Sequence, residues 1–284
     1  MEIERARFEK LKASRPVLTH ALAIEEKYSI IITNFLELER EATNASITEM
    51  VQSHNEYKDF FNIRLALNTC LVNLLTSVRL YVDQLSSHIC ACLPIDKDAK
   101  AKTKALFSAE YDSRFEYRFM EALRNYVQHS GIPVHRVSTG AKRIDLDDGL
   151  LEFSLYFGAQ REELASDRSF KKKVLDEMPE AVNLKSSSRI YIEAISNIHE
   201  QGRLLIENEV NESRSILEKA IRDYTVVYEK EPVGLFAYEF QGDAKVDEVS
   251  VLTKWDDVRK ELLKRNGKIT NLGKRYVSSE AHNK

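Results

Sequence analysis

Apolar positions recur along this chain mainly at steps of three and four, the period of helices that bury one face. The clearest stripe runs through Ile63, Leu67, Leu71, Leu74, Val78, Val82, Leu85 and Ile89 and predicts a long central helix over 55–93. Upstream, residues from about Ser14 to Ser53 carry two helical patterns, the second through Ile30, Ile31, Phe35 and Leu38 into a solvated charged end at 37–41. Pro94 stops the central helix. The stretch 94–108, with Lys97, Lys100 and Lys102, reads as a linker or the start of a surface helix whose lysines are solvated. Phe115, Phe119, Ala122, Leu123 and Tyr126 form the stripe of a shorter helix, Tyr111 to His129, which Gly131 and Pro133 close. Helical periodicity returns from Glu162 to Glu231, broken near Pro179 and at Lys185-Ser186-Ser187-Ser188. Its longest piece runs from about Ile190 to Tyr228, with a kink expected at Gly202.

Two stretches switch to alternation. Val134–Ser138 and Leu150–Phe157 flank the turn-rich segment Asp145-Leu146-Asp147-Asp148-Gly149 and read as a β-hairpin inserted after the shorter helix. Residues 234–240 and 246–251 read as a second strand pair, expected to extend the first into a small sheet. A last helix is expected over Trp255–Arg265, then a loose, mildly basic tail from Asn266 to Lys284 with Lys268, Lys274 and Arg275. The fold class is mainly α: a helical bundle with a small antiparallel β-hairpin or sheet. Three segments are expected: N-terminal helices at 1–54, a bundle at 55–230 with its insertion near 134–157, and strands, short helix and tail at 231–284.

Composition narrows the chemistry. Only 9 Gly and 5 Pro beside 31% charged residues argue against an all-β fold. A net charge of -3 supplies no global attraction to nucleic acid, so any RNA contact is local. Cys70, Cys90 and Cys92 lie on helical, mostly apolar sequence and read as buried thiols of a reducing compartment. Residues 1–5 lack the apolar core of a signal peptide and no apolar run approaches a bilayer's width, so the chain is expected in the cytoplasm with no membrane partner. His88, Cys90 and Cys92 offer metal-ligand side chains, but alternate positions diverge on a helix and no second cluster completes the set. No phosphate loop, nucleophile elbow or zinc-protease motif is present, and no cofactor or metal is expected.

What remains is the end of the shorter helix, Arg124-Asn125-Tyr126-Val127-Gln128-His129. At 100° per residue Asn125 and His129 lie about 40° apart on one face, while Arg124 points about 140° from His129. Glu121 sits a turn further back. The spacing resembles the Arg-x4-6-His signature of HEPN-domain proteins, in which the residue after the arginine is commonly polar, as Asn125 is here. The resemblance covers the central and motif helices, with the helices after Glu162 as further members of a HEPN-like helical bundle; the strands and both ends fall outside it. It implies a metal-independent endoribonuclease of a toxin-antitoxin, defence or RNA-processing system, acting as a homodimer, or a relative that has kept only binding.

Those residue types suit the reaction. Cleaving RNA without a metal needs a base for the ribose 2′-hydroxyl, charge stabilisation at phosphate and an acid for the leaving oxygen. His129 is the candidate base or acid, Arg124 the fork for the non-bridging oxygens, and Asn125 orients the imidazole or donates to phosphate. One histidine does not readily make both proton transfers, which again favours two copies facing each other. Glu121, Arg79 and Asp83 are the candidate substrate-binding residues, the last two as polar walls beside the motif. The plainer alternatives are an Arg79–Asp83 surface ion pair, an Arg124–Glu121 surface pair, and a His129 that only caps its helix. A third reading keeps the fold without the reaction: an RNA- or nucleotide-binding regulator, or a chain with an antitoxin-like protein partner.

Overall fold

A computed structural model describes residues 1–52, 56–144 and 149–278. In chain order the elements are α1 (Arg5–Val51), α2 (Tyr57–Cys92), α3 (Ala99–Ser113), α4 (Phe115–His129), β1 (Arg136–Arg143) and β2 (Leu151–Gln160), then α5 (Arg161–Ala165), α6 (Lys172–Glu177), β3 (Ala181–Asn183), α7 (Leu184–Tyr228), β4 (Phe236–Gln241), β5 (Ala244–Ser250) and α8 (Lys254–Arg265). The fold is mainly α with small antiparallel sheets. Two compact units share the long helices: one holds 1–29, 80–107 and 198–267, the other 30–79, 108–197 and 268–284.

The α8 unit is built around α7 from Ile198 onward, the end of α2 and the start of α1, with Leu18, Ile24, Tyr81, Leu85, Ile89 and Leu217 in its core. Its polar centre is a closed network. Arg203 donates to both carboxylate oxygens of Glu25 (Nε–Oε1 2.8 Å, Nη2–Oε2 2.6 Å), His199 Nε2 lies 3.3 Å from Glu25 Oε2, and His199 Nδ1 lies 2.9 Å from the Tyr81 hydroxyl. Tyr28 stacks on the imidazole with ring centroids 3.8 Å apart. Burial pushes the Glu25 carboxyl up, but the bonds from Arg203 and His199 outweigh it and hold the carboxyl at about 2. A second set fastens α8: Arg259 forks onto buried Asp256, which also accepts from Arg214 at 3.0 Å.

The β1–β3 unit packs α4 and the start of α7 against α2. Leu67, Leu71, Leu74 and Val78 of α2 meet a core that includes Phe119, Met120, Leu123, Tyr191 and Ile195. The sheet has order β1-β2-β3, antiparallel throughout, with Arg136 opposite Gly158 and Ala159 opposite Val182. Asn68 of α2 clamps the chain entering this sheet. It accepts from the Val134 amide at 2.8 Å and returns a bond to the Val134 carbonyl at 3.4 Å.

Several expectations are corrected. The two helical patterns before residue 53 are one 47-residue helix that carries Pro16 in its interior. The missing Pro16 amide removes one helical bond, a loss of about 3 kcal/mol that burial of Leu11, Val17 and Leu18 around it offsets. Residues 99–108 belong to α3, and the helix expected from Tyr111 is two helices separated by extended Arg114. Lys185–Ser188 is not a break but the first turn of α7, because the Asn183 side chain caps it by accepting from the Ser186 amide at 3.1 Å. The strand pair β4–β5 forms its own two-stranded sheet and does not extend the first. The tail is not loose over 269–275: Ile269 bonds Ser196, Leu272 bonds Glu193, and Arg189 holds the Arg275 carbonyl. In the acidic turn between β1 and β2, residues 145–148 lie outside the described residues.

The cysteines are free thiols, and burial pushes that of Cys92 up to about 12. Among the described residues α2 is, by length and composition, the helix long and apolar enough to cross a membrane, contrary to the expectation that no run was; its stripe is taken up by the protein core.

Candidate functional site

α4 is strongly amphipathic because Tyr117, Phe119, Met120, Ala122 and Leu123 all turn inward. Its first residue follows the extended backbone of Arg114, and its end is set by Ser130 and Gly131, whose amides both bond the Tyr126 carbonyl (2.8 and 3.2 Å). Gly131 is required by contact, not by a left-handed backbone: a Cβ there would stand 2.4 Å from the Tyr126 hydroxyl. Tyr126 is in turn boxed edge-on by His135 (5.9 Å) and Phe170 (6.3 Å). The loop after His129 is thus fixed by Tyr126 from within and by Asn68 from α2.

The six candidate residues divide. Glu121 and Arg124, a surface pair in the plainer reading, are half-buried, because the inward face extends through Tyr117 to meet Tyr191 of α7. The Tyr191 hydroxyl donates to Glu121 at 2.5 Å, and Arg124 lies 3.8 Å from the other Glu121 oxygen. Arg124 also donates to Gln128 Oε1 at 2.9 Å, its side chain is only 12% exposed, and its buried Nε has no hydrogen-bond partner among the described residues. Asn125 and His129 are exposed on the helix's other side.

Arg79 is half-buried and its charge acts on Tyr117, whose hydroxyl is pushed up chiefly by burial. Tyr117 precedes His129 by about 18 Å of helix axis. Arg79 therefore groups with the Glu121 end of α4 rather than with the histidine. Asp83 is exposed on α2 and belongs to the other compact unit.

The structure adds residues that sequence reasoning missed. Asp167, in the loop between α5 and α6, lies beside the helix end: a bond from Ser130 lowers its carboxyl below the usual range, and the charge of His129 acts in the same direction. His135 takes a bond at Nδ1 from the Gln160 amide (3.0 Å), and burial pushes its imidazole down. Tyr191 had a signal only in part, since Glu121 one turn from Tyr117 marks a polar line at the edge of the buried stripe. Nothing local in the sequence could pair that line with α7.

No family model, curated protein or solved structure matches this chain. Its function therefore rests on the residues themselves. No group of three or more His, Cys, Asp or Glu among the described residues could hold a metal ion; His88, the first of the three ligand-type residues noted in the sequence, instead lies with Nδ1 2.9 Å from His20 Nδ1. The motif end offers a solvent-facing imidazole and amide, a neighbouring carboxylate, and a guanidinium with a spare donor set into the helix flank. Side chains of these types can exchange protons and bind anions.

Proposed function

We propose that this chain is a HEPN-like, metal-independent endoribonuclease of the cytoplasm that acts as a homodimer in a toxin or defence setting. The observation that carries the reading is the exposure of His129 and Asn125 at the end of a helix whose closing loop is pinned from two sides. A proton-transfer group needs such fixed but open placement. His129 moves the proton, with Asp167 beside it; Asn125 donates to the phosphate or the imidazole; Arg124, on the other side of the helix, meets the non-bridging oxygens from the facing copy of the homodimer. RNA is the substrate, Glu121 and Arg79 hold the arginine side of the helix, and an antitoxin-like protein is the expected regulator.

Arg124 favours a second reading. Its contacts go to Glu121 and Gln128 of its own helix, which suits a non-catalytic RNA- or nucleotide-binding regulator. One experiment separates the two. Under the nuclease reading, purified protein cleaves single-stranded RNA in excess chelator, and Arg124→Ala and His129→Ala each abolish cleavage while leaving the circular dichroism spectrum unchanged. Affinity for RNA with no cleavage by the unsubstituted chain supports the regulator; absence of both removes both readings.

A further inference from the structure

In the α8 unit, His20 of α1 and His88 of α2 face each other. Their Nδ1 atoms lie 2.9 Å apart, with ring centroids 5.2 Å apart and planes tilted by 47°. A neutral imidazole has one N–H and one bare nitrogen, so a bond at that distance sets the rings in different tautomers: one Nδ1 carries the hydrogen and the other accepts it. Both residues are half-buried and within reach of protons from water.

No carboxylate stands on either helix three or four residues from these histidines, and the charges acting on His88 are Lys27 and His20, which both oppose its protonation. One turn along α2, Cys92 donates to the Val17 carbonyl at 3.4 Å; the charges reaching that thiol from α8 and α7 are Arg259 and Glu209. Val17, Leu18, Ile24, Leu85 and Ile89 around the pair are buried. The histidines are thus a polar bond at the rim of an apolar seam.

Protons act on such a pair in two steps. The first goes to the bare outer nitrogen of the donor ring and leaves a charge-assisted Nδ1–H···Nδ1 bond in place. The second must go to the accepting Nδ1 itself, which removes the acceptor and sets two imidazolium charges face to face beside Lys27. We propose that His20 and His88 form a one-proton latch between α1 and α2 that acid opens at the second proton. Burial, with Lys27 and His20, pushes the His88 imidazole from 6.5 down to about 4, so it binds fewer protons folded than unfolded. The contribution of the latch is therefore complete above pH 6.5 and is lost as pH falls through about 4. The apolar seam still holds the helices, so release is local to 17–24 and 84–92. The latch stands on its own observations and does not depend on the RNA reading.

The test follows the intact protein, with 15N in its histidine rings, by two-bond 1H–15N spectra from pH 8 to pH 4, the two rings being assigned with His20→Gln and His88→Gln. At pH 8 one ring is expected as the Nδ1–H tautomer and the other as Nε2–H, and the second protonation should fall at least about one pH unit below the first. Hydrogen–deuterium exchange at 17–24 and 84–92, corrected for intrinsic rate, should rise at least about threefold between pH 6 and pH 4, with 206–217 of α7 unchanged. In His88→Gln, which has no second proton to take, that rise should vanish; if this variant is unstable, the tautomers and titration of the unsubstituted chain decide. One tautomer in both rings, two protonations within about half a pH unit of each other, or acid exchange that rises equally at 206–217 would overturn the latch. So would stoichiometric uptake of Zn2+ that displaces the Nδ1 hydrogen, which would assign the pair to a metal.

Discussion

His199 and His129 mark two ways of using an imidazole. His199 is 1% exposed, bonded at both ring nitrogens and stacked on Tyr28, and burial pushes its imidazole down. His129 is open to solvent at a helix end. Perturbed titration is often taken as a pointer to function. Here two perturbed groups, Glu25 and His199, are bonded to each other and to Arg203 and Tyr81 inside the core, whereas the candidate catalyst sits where reactants can reach it. On the proposed reading, satisfaction and access are the better guide: the first region holds structure, and the second is where the proposed chemistry would sit.

The contrast is broken most severely by removing Glu25. Glu25→Ala leaves Arg203 and His199 without their shared anion and should lower unfolding free energy by about 3–5 kcal/mol in urea titration. A loss no larger than that of His129→Ala would mean the network is not structural. On the other side, Arg124→Ala and His129→Ala should each lower the RNA cleavage rate by at least about a hundredfold, measured at equal folded protein.

Acid sharpens the comparison further. Glu25 has its folded value, about 2, below the usual carboxylate value of 4.5, so it binds fewer protons folded than unfolded. Its contribution, about 3 kcal/mol, is complete above pH 4.5 and is lost as pH falls towards 2. His199 is lowered in the same sense, and stability should begin to fall below about pH 6.5. Glu25→Gln should flatten the lower part of the stability–pH curve measured by thermal melting. Tyr191→Phe, which removes one bond to Glu121, should cost about 1 kcal/mol. Smallest of all, His129→Ala should change stability by no more than about 0.5 kcal/mol.

Legibility in the sequence followed the same divide. The α2 stripe was readable because its period holds over many turns, and Leu67, Leu71, Leu74, Leu85 and Ile89 are all buried. The end of α4 was readable because Gly131 and Pro133 punctuate it. The break at Arg114 carried no glycine or proline, and three-residue β3 is too short to show alternation. The serines at 186–188 looked like a break, while their cap, Asn183, lies outside the run. For the site, the motif gave Arg124, Asn125 and His129 by spacing, but not which side of α4 would be buried. That was decided by Tyr191, about seventy residues away in sequence, and Asp167 and His135 likewise come into place only through the sheet and the α5–α6 loop.

Cleavage at one modified nucleotide is the most direct measurement of the central claim. An RNA is cut in excess chelator, its cleavage position is mapped, and the nucleotide 5′ to that position is replaced by its 2′-deoxy form. Attack by the 2′-hydroxyl under His129 and Arg124 predicts a 2′,3′-cyclic phosphate end by mass spectrometry, no cut at the deoxy position, and no product from His129→Ala. Continued cutting at the deoxy nucleotide, or equal product from His129→Ala, contradicts it.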